Sequence, residues 1–278
     1  MTTASASREH MTAARIGDRL SAIAAEYGIV LFLIAMCIGF SLWQPETFPT
    51  SRNIQALLGD QAVPGILALA VILPLAAGEF DLSIAANLGF CSIVSAKLAS
   101  GGMAPELVIV LTLLVGTAIG FANALIVVGI GVNAFIATLG MSTILVGGNL
   151  ILTDGNTIFE GIGTDFTDIA STKVFGLQIV VYYFLFIAIA AWYVMERTPF
   201  GRYLRATGLA REAARLSGIS TTKRLALAFI IAGTLSGLCG VLQTARLGSA
   251  SSTVGPEFLL PAYAAAFLGA TTIRRGMF

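Results

Sequence analysis

Charge is what this chain has least of. Its 278 residues include 16 Lys and Arg, 15 Asp and Glu and one histidine, so only 11% are charged. Soluble domains carry about 25%, which excludes an ordinary water-soluble globule. A formal net charge of +1 offers nucleic acid no electrostatic footprint, so no nucleic-acid partner is expected. His10, the single histidine, lies in a polar N-terminal stretch, which excludes a His-based metal site and a Ser-His-Asp triad. Cys37, Cys91 and Cys239 each stand in a separate apolar run, too far apart for a zinc motif. No G-x-x-x-x-G-K-S/T loop occurs, so ATP hydrolysis would have to come from another chain. No cofactor is expected. Without these groups, or a carboxylate cluster on one face, catalysis has little to work with, and the chain is expected not to be an enzyme.

What is present is apolar: 56% hydrophobic residues, with 17 Phe and 30 Gly, a mixture that packed transmembrane helices tolerate. A spanning helix needs about 20 mostly apolar residues. Runs near residues 27–43, 54–77, 84–99, 105–128, 133–153, 174–195, 224–245 and 258–273 read as spans. The expected fold is all-α and polytopic, with about eight transmembrane helices. Residues 1–25 form a polar tail, and 26–278 form the membrane domain. No small-residue cleavage site follows the tail, so no cleavable signal peptide is expected.

Basic residues gather in cytoplasmic loops. Residues 196–224 hold Arg197, Arg202, Arg205, Arg211, Arg215, Lys223 and Arg224 against Glu196 and Glu212, and are assigned to the inside. Residues 154–173 hold Asp154, Glu160, Asp165 and Asp168 against one Lys, and suit the outside. Counting spans from the basic loop places the N-terminus in the cytoplasm and residues 247–257 outside.

Two stretches interrupt the apolar pattern in ways that suggest function. Asp60, Gln61, Pro64 and Pro74 fall within the second run, and Gly78-Glu79-Phe80-Asp81-Leu82-Ser83 follows it. Prolines free backbone carbonyls that lipid cannot satisfy, and discontinuous helices often line transport paths. A broken helix pair is therefore expected near residues 60–83. Asp60, Glu79, Phe80 and Asp81, with Asn133 and Thr138 further on, are candidates for a translocation path. The alternative for Glu79 and Asp81 is a short turn in which Asp81 caps the helix beginning near Ser83. Asn123, Ser142, Thr143 and Asn149 could line a polar route or bond between helices. Gly116/Gly120 and Gly233/Gly237 are four-spaced small pairs that suit close helix packing.

In the basic loop, Ala213 and Ala214 favour helix and Gly218 supplies a stop. A short helix is expected over 211–217, with Glu212 and Arg215 on one side. Such a helix could insert into a groove on a partner protein or lie on anionic membrane lipid.

Several stretches together resemble one family, the permease subunits of bacterial ABC importers for ribose and related simple sugars. Gly78–Ser83 is similar to that family's G-G-x-D-L-S run, and residues 133–140 to its P-F-I-x-T-L-G run. Residues 198–202 and 212–219 are similar to its cytoplasmic coupling region, and residues 245–250 and 268–272 to the stretches after it. The likeness spans about residues 48–272. It implies an inner-membrane permease with a second permease copy, an ATP-binding cassette ATPase subunit and an extracytoplasmic solute-binding protein as partners. Carried over, Glu212, Ala213, Ala214 and Gly218, flanked by Arg211 and Arg215, belong to the coupling helix. Departures occur at Glu79, where a second small residue is usual, at Asn133-Ala134, where Pro precedes Phe, and at Val146, where Arg precedes Gly. Family members continue for some tens of residues past the region matched by 268–272, so a truncation at Phe278 is expected. Two alternatives remain open: an ABC permease for another small polar solute such as an amino acid, nucleoside or signalling molecule, and an ion-coupled secondary transporter using Asp60, Glu79 and Asp81.

Overall fold

A computed structural model describes Gly28 and residues 30–273, with side chains described as far as Gly269. The polar tail at 1–25 and the pair Arg274-Arg275 lie outside the described residues. The chain divides into two compact units, the larger formed by Gln55–Leu268. In the smaller, α1 (Val30–Trp43) ends where Phe40 stacks on Trp43 and Phe48, and the Asn53 amide donates to the Phe48 carbonyl at 2.9 Å.

The larger unit is a helical bundle. Its elements are α2 (Ser51–Ala76) from Gln55 onward, α3 (Ile84–Ser100), α4 (Pro105–Ala124), α5 (Ala134–Thr153), α6 (Thr164–Ser171), α7 (Ile179–Arg197), α8 (Pro199–Leu209), α9 (Arg211–Leu216), α10 (Thr221–Leu247) and α11 (Leu259–Ile273) as far as Leu268. Leu125–Ile130 prolongs α4 as a π-helical turn, and two-residue strands at Lys173–Val174 and Leu177–Gln178 pair before α7. The fold is that of an all-α polytopic membrane protein.

Among the described residues five helices are long and apolar enough to cross a membrane: α2, α4 with its π turn, α5, α7 and α10. The remaining three expected spans are shorter: α1 and α3 (17 residues), and α11 (15 residues). The expected break within 60–76 is absent. α2 runs through Pro64 and Pro74 without interruption. Each proline removes one backbone donor, and a helix held on several sides by its neighbours accommodates that loss. The discontinuity is confined to residues 77–83.

α3, α4 and α10 form the centre. Glycines let α4 and α10 touch backbone to backbone: a Cβ on Gly116 would stand 2.7 Å from the Gly233 carbonyl, and one on Gly233 would stand 2.6 Å from that of Gly116. Asn87 of α3 donates to both carbonyls at 3.3 Å. Along α3 and α10, Ser92, Ser95 and Thr244 share hydroxyl bonds of 2.8 and 3.0 Å. These buried bonds let a polar helix face pack without cost.

Past α10 the chain turns back along the bundle. Ala250 and Ile158 exchange backbone bonds of 2.9 Å, joining the acidic connection before α7 to the loop after α10. Val254 and Gly255 then lie against α3, where a Cβ on Gly89 would stand 2.1 Å from the Val254 carbonyl. A short 3₁₀ turn, Pro256–Phe258, leads into α11. The expected run at 258–273 coincides with α11, which begins one residue later, at Leu259.

Candidate functional site

α2 ends in a glycine-dependent turn. Gly78 takes φ +83°, its N–H bonds the Leu75 carbonyl, and the Glu79 N–H bonds that of Pro74, both at 3.0 Å. This pairing satisfies the last carbonyls of a helix. The next five residues reach four other elements. Glu79 pairs with Arg211 of α9 at 3.2 Å. The Tyr263 hydroxyl of α11 accepts from the Asp81 N–H at 3.0 Å and donates to the Asp81 carbonyl at 3.1 Å. The Leu82 N–H donates to Thr138 Oγ1 of α5 at 3.0 Å. Asn123 of α4 donates to Ser83 Oγ at 2.7 Å.

Asp81 is buried, at 2% exposed. Its Oδ1 accepts from the Ser83 N–H at 3.0 Å and the Ser83 hydroxyl at 2.6 Å, so the carboxylate closes the turn that starts α3. Burial pushes the carboxyl up from 3.8 to about 6, against the lowering effect of the two Ser83 bonds. Phe80 is half-exposed and stacks on Tyr263 with centroids 5.9 Å apart.

The basic loop folds back onto this turn. Thr198 and Pro199 start α8, and the corner with α7 is held by Arg205, which bonds Glu196 at 2.6 Å and the Met195 carbonyl at 2.8 Å. A Cβ on Gly208 would stand 2.4 Å from the Ala76 carbonyl, so the ends of α8 and α2 abut directly. α9 follows. Ala214 faces inward while Arg211, Glu212, Ala213 and Arg215 are exposed, and Glu212 pairs with Arg215 at 2.8 Å. Gly218, at φ +83°, stops the helix, with the Ile219 N–H bonding the Ala214 carbonyl at 3.0 Å.

The six path candidates therefore separate. Glu79, Phe80, Asp81 and Thr138 come together at one end of the bundle. Asn133 starts α5 at that end, and its Oδ1 accepts from the N–H groups of Phe135 and Ile136 at 3.0 and 3.3 Å. Asp60 stands elsewhere, on α2, paired with Arg246 of α10. Tyr263 was missed by sequence reasoning, since an isolated Tyr in an apolar run carries no local sign of a partner 182 residues away. Asn149 is fully buried, and neither of its amide atoms has a partner among the described residues. No cluster of three or more metal-ligating side chains occurs among the described residues.

Comparison with known proteins gives this arrangement its context. Residues 53–278 match the family described as "Branched-chain amino acid transport system / permease component". The chain is 32% identical over 252 residues to the D-allose transport system permease protein AlsC of Escherichia coli (strain K12), covering 90% of this chain and 77% of that one. It is 33% identical over 247 residues to the ribose import permease protein RbsC of Haemophilus influenzae, covering 88% and 76%. To the autoinducer 2 import system permease protein LsrD of Salmonella paratyphi B it is 32% identical over 259 residues, covering 90% and 77%. No solved structure matches. These relatives are transport permease components, not enzymes, and the chain belongs to their family, as a permease of the sugar-type ABC importers.

Proposed function

We propose that the chain is the membrane-spanning subunit of an ATP-driven importer, forming the path for a simple sugar across the bacterial inner membrane. In this reading an ATP-binding cassette ATPase docks against residues 197–224, an extracytoplasmic solute-binding protein delivers the sugar, and a second copy of the chain completes the path. The seven basic residues of 197–224 then lie in the cytoplasm, as does the N-terminus, and lipid surrounds the apolar helices.

The observation that carries the reading is the joint between α9 and the turn at residues 77–83. α9 presents exposed Glu212 and Arg215 outward, while Arg211 and Gly208 behind them meet Glu79 and the end of α2. A displacement of α9 by a docked partner would press on a turn that bonds α4, α5 and α11. Such a hub suits the conversion of ATPase motion into movement of spanning helices.

The relatives' names for D-allose and ribose favour a simple sugar. The family description and the autoinducer 2 relative keep another small polar solute as the second reading. Ligand screening of the cognate binding protein decides between them. The coupling assignment is tested with Glu212→Arg. Its side chain is 72% exposed and its ion pair with Arg215 lies on the surface, so the fold loses little with it. The expected outcome is loss of solute-stimulated ATP hydrolysis by the assembled complex with membrane insertion intact, and unchanged stimulation would refute the assignment.

A further inference from the structure

We infer that the segment 248–258 lines a water-filled part of the solute path, and that Glu257 makes this stretch selective against anionic solutes, suiting a neutral, hydroxyl-rich one; the inference rests on the permease reading above. The segment is irregular inside the length of the bundle. Val254 and Gly255 lie on α3 at Gly89, ~8 Å along that helix from Ile84 and ~16 Å from Ser100 at 1.5 Å per residue. Apart from the Ala250–Ile158 bridge and the single 3₁₀ turn at Pro256–Phe258, the backbone here forms neither helix nor sheet. Its turn bonds run from Val254 to Ser251 at 3.2 Å and from Phe258 to Gly255 at 2.9 Å.

Irregular backbone at membrane depth is tolerated where protein buries it or water wets it, and not against lipid. One side of this segment is buried on α3 through Val254 and Gly255, while Thr253, Pro256 and Glu257 are exposed. Among the described residues Glu257 has no ion pair or hydrogen bond. A carboxylate at this depth is costly against hydrocarbon, so the exposed side faces water. Thr253 can donate to and accept from a hydroxyl, and Glu257 accepts from hydroxyls. An unpaired carboxylate also repels an anion approaching along the same wall.

The test is thiol accessibility in the complex assembled from the full chain in native membranes, on a Cys37→Ser background, since Cys91 and Cys239 are buried. Thr253→Cys and Glu257→Cys are treated with a membrane-impermeant cationic methanethiosulfonate, its anionic counterpart, and N-ethylmaleimide. Asn156→Cys, on an exposed loop, is the reference. Both positions are expected to react with the cationic reagent within about tenfold of the reference. At Thr253→Cys the cationic reagent is expected to outrun the anionic one by about tenfold more than at the reference, and Glu257→Gln is expected to erase that preference. Reaction with the maleimide alone would mean a lipid-facing segment, and reaction with no reagent would mean a face covered by the second copy; either overturns the inference. Equal rates for the two charged reagents overturn the selectivity. Glu212→Arg in the same membranes separates the two levels. If it abolishes stimulated hydrolysis while positions 253 and 257 stay unreactive, only the lining falls; if it changes nothing, the underlying reading falls.

Discussion

Asp81 shows how one side chain can organise a whole turn. Its carboxyl bonds Ser83, Ser83 in turn accepts from Asn123, and its own backbone is clasped by Tyr263. The fold raises its pKa from 3.8 to about 6, mainly through burial. A raised value means the folded state favours the neutral acid, so the stabilisation is fully present below 3.8 and is lost as pH rises through about 6. Asp81→Asn keeps the shape and the acceptor but stays neutral. The stability of the parent relative to this variant is expected to fall by about 1–3 kcal/mol between those pH values and to be flat above them. Thermal unfolding of both proteins in detergent across that range measures it. A difference that does not change with pH would show that Asp81 is no less comfortable charged than in water.

At the scale of elements, the α4–α10 contact is fixed by the absence of side chains. Gly233→Ala places a methyl 2.6 Å from the Gly116 carbonyl, against backbone that cannot yield. It is expected to destabilise the chain by about 1–3 kcal/mol through overpacking, whereas Gly147→Ala meets nothing within 4 Å and is expected to be near neutral. Unfolding midpoints of the two variants in one detergent decide it. This contact was legible beforehand in the spacing of Gly116/Gly120 and Gly233/Gly237, as was the stop of α9 at Gly218, because both are local rules. The prolines of α2 misled for the opposite reason. Pro64 and Pro74 state what the backbone loses, while continuity depends on neighbours far along the chain. Counting spans assigns residues 247–257 to the outside but says nothing of how they pack. Their contact with α3 depends on Gly89 having no side chain to keep Val254 away, a fact split between two distant stretches. Tyr263 was hidden in the same way: the apolar run of α11 gave no hint that its hydroxyl binds Asp81.

For the whole molecule, the proposed function raises the question of how a force at one end would reach the solute. The turn at 77–83 touches α9 through Glu79, α11 through Asp81, α5 through Leu82 and α4 through Ser83, while the segment 248–258 that leads into α11 runs along the same α3. Glu79 and Arg211 are the charged link in this chain of contacts, with side chains 24% and 46% exposed. A pair so placed contributes at most about 1 kcal/mol to stability, so its removal leaves the fold standing and tests transmission alone. Glu79→Arg or Arg211→Glu puts like charges face to face and is expected to lower solute transported per ATP hydrolysed by about threefold to fivefold. The double reversal restores the attraction with the signs exchanged and is expected to recover most of the loss. The measurement is uptake and hydrolysis in proteoliposomes for the parent, both single variants and the double. Recovery in the double is the result that two independently acting residues cannot produce, because each substitution alone would then cost the same with or without the other. If the two losses simply multiply, the ion pair carries no signal, and the backbone contact between Gly208 and the end of α2 is left as the joint through which, on the proposed function, α9 would move the bundle.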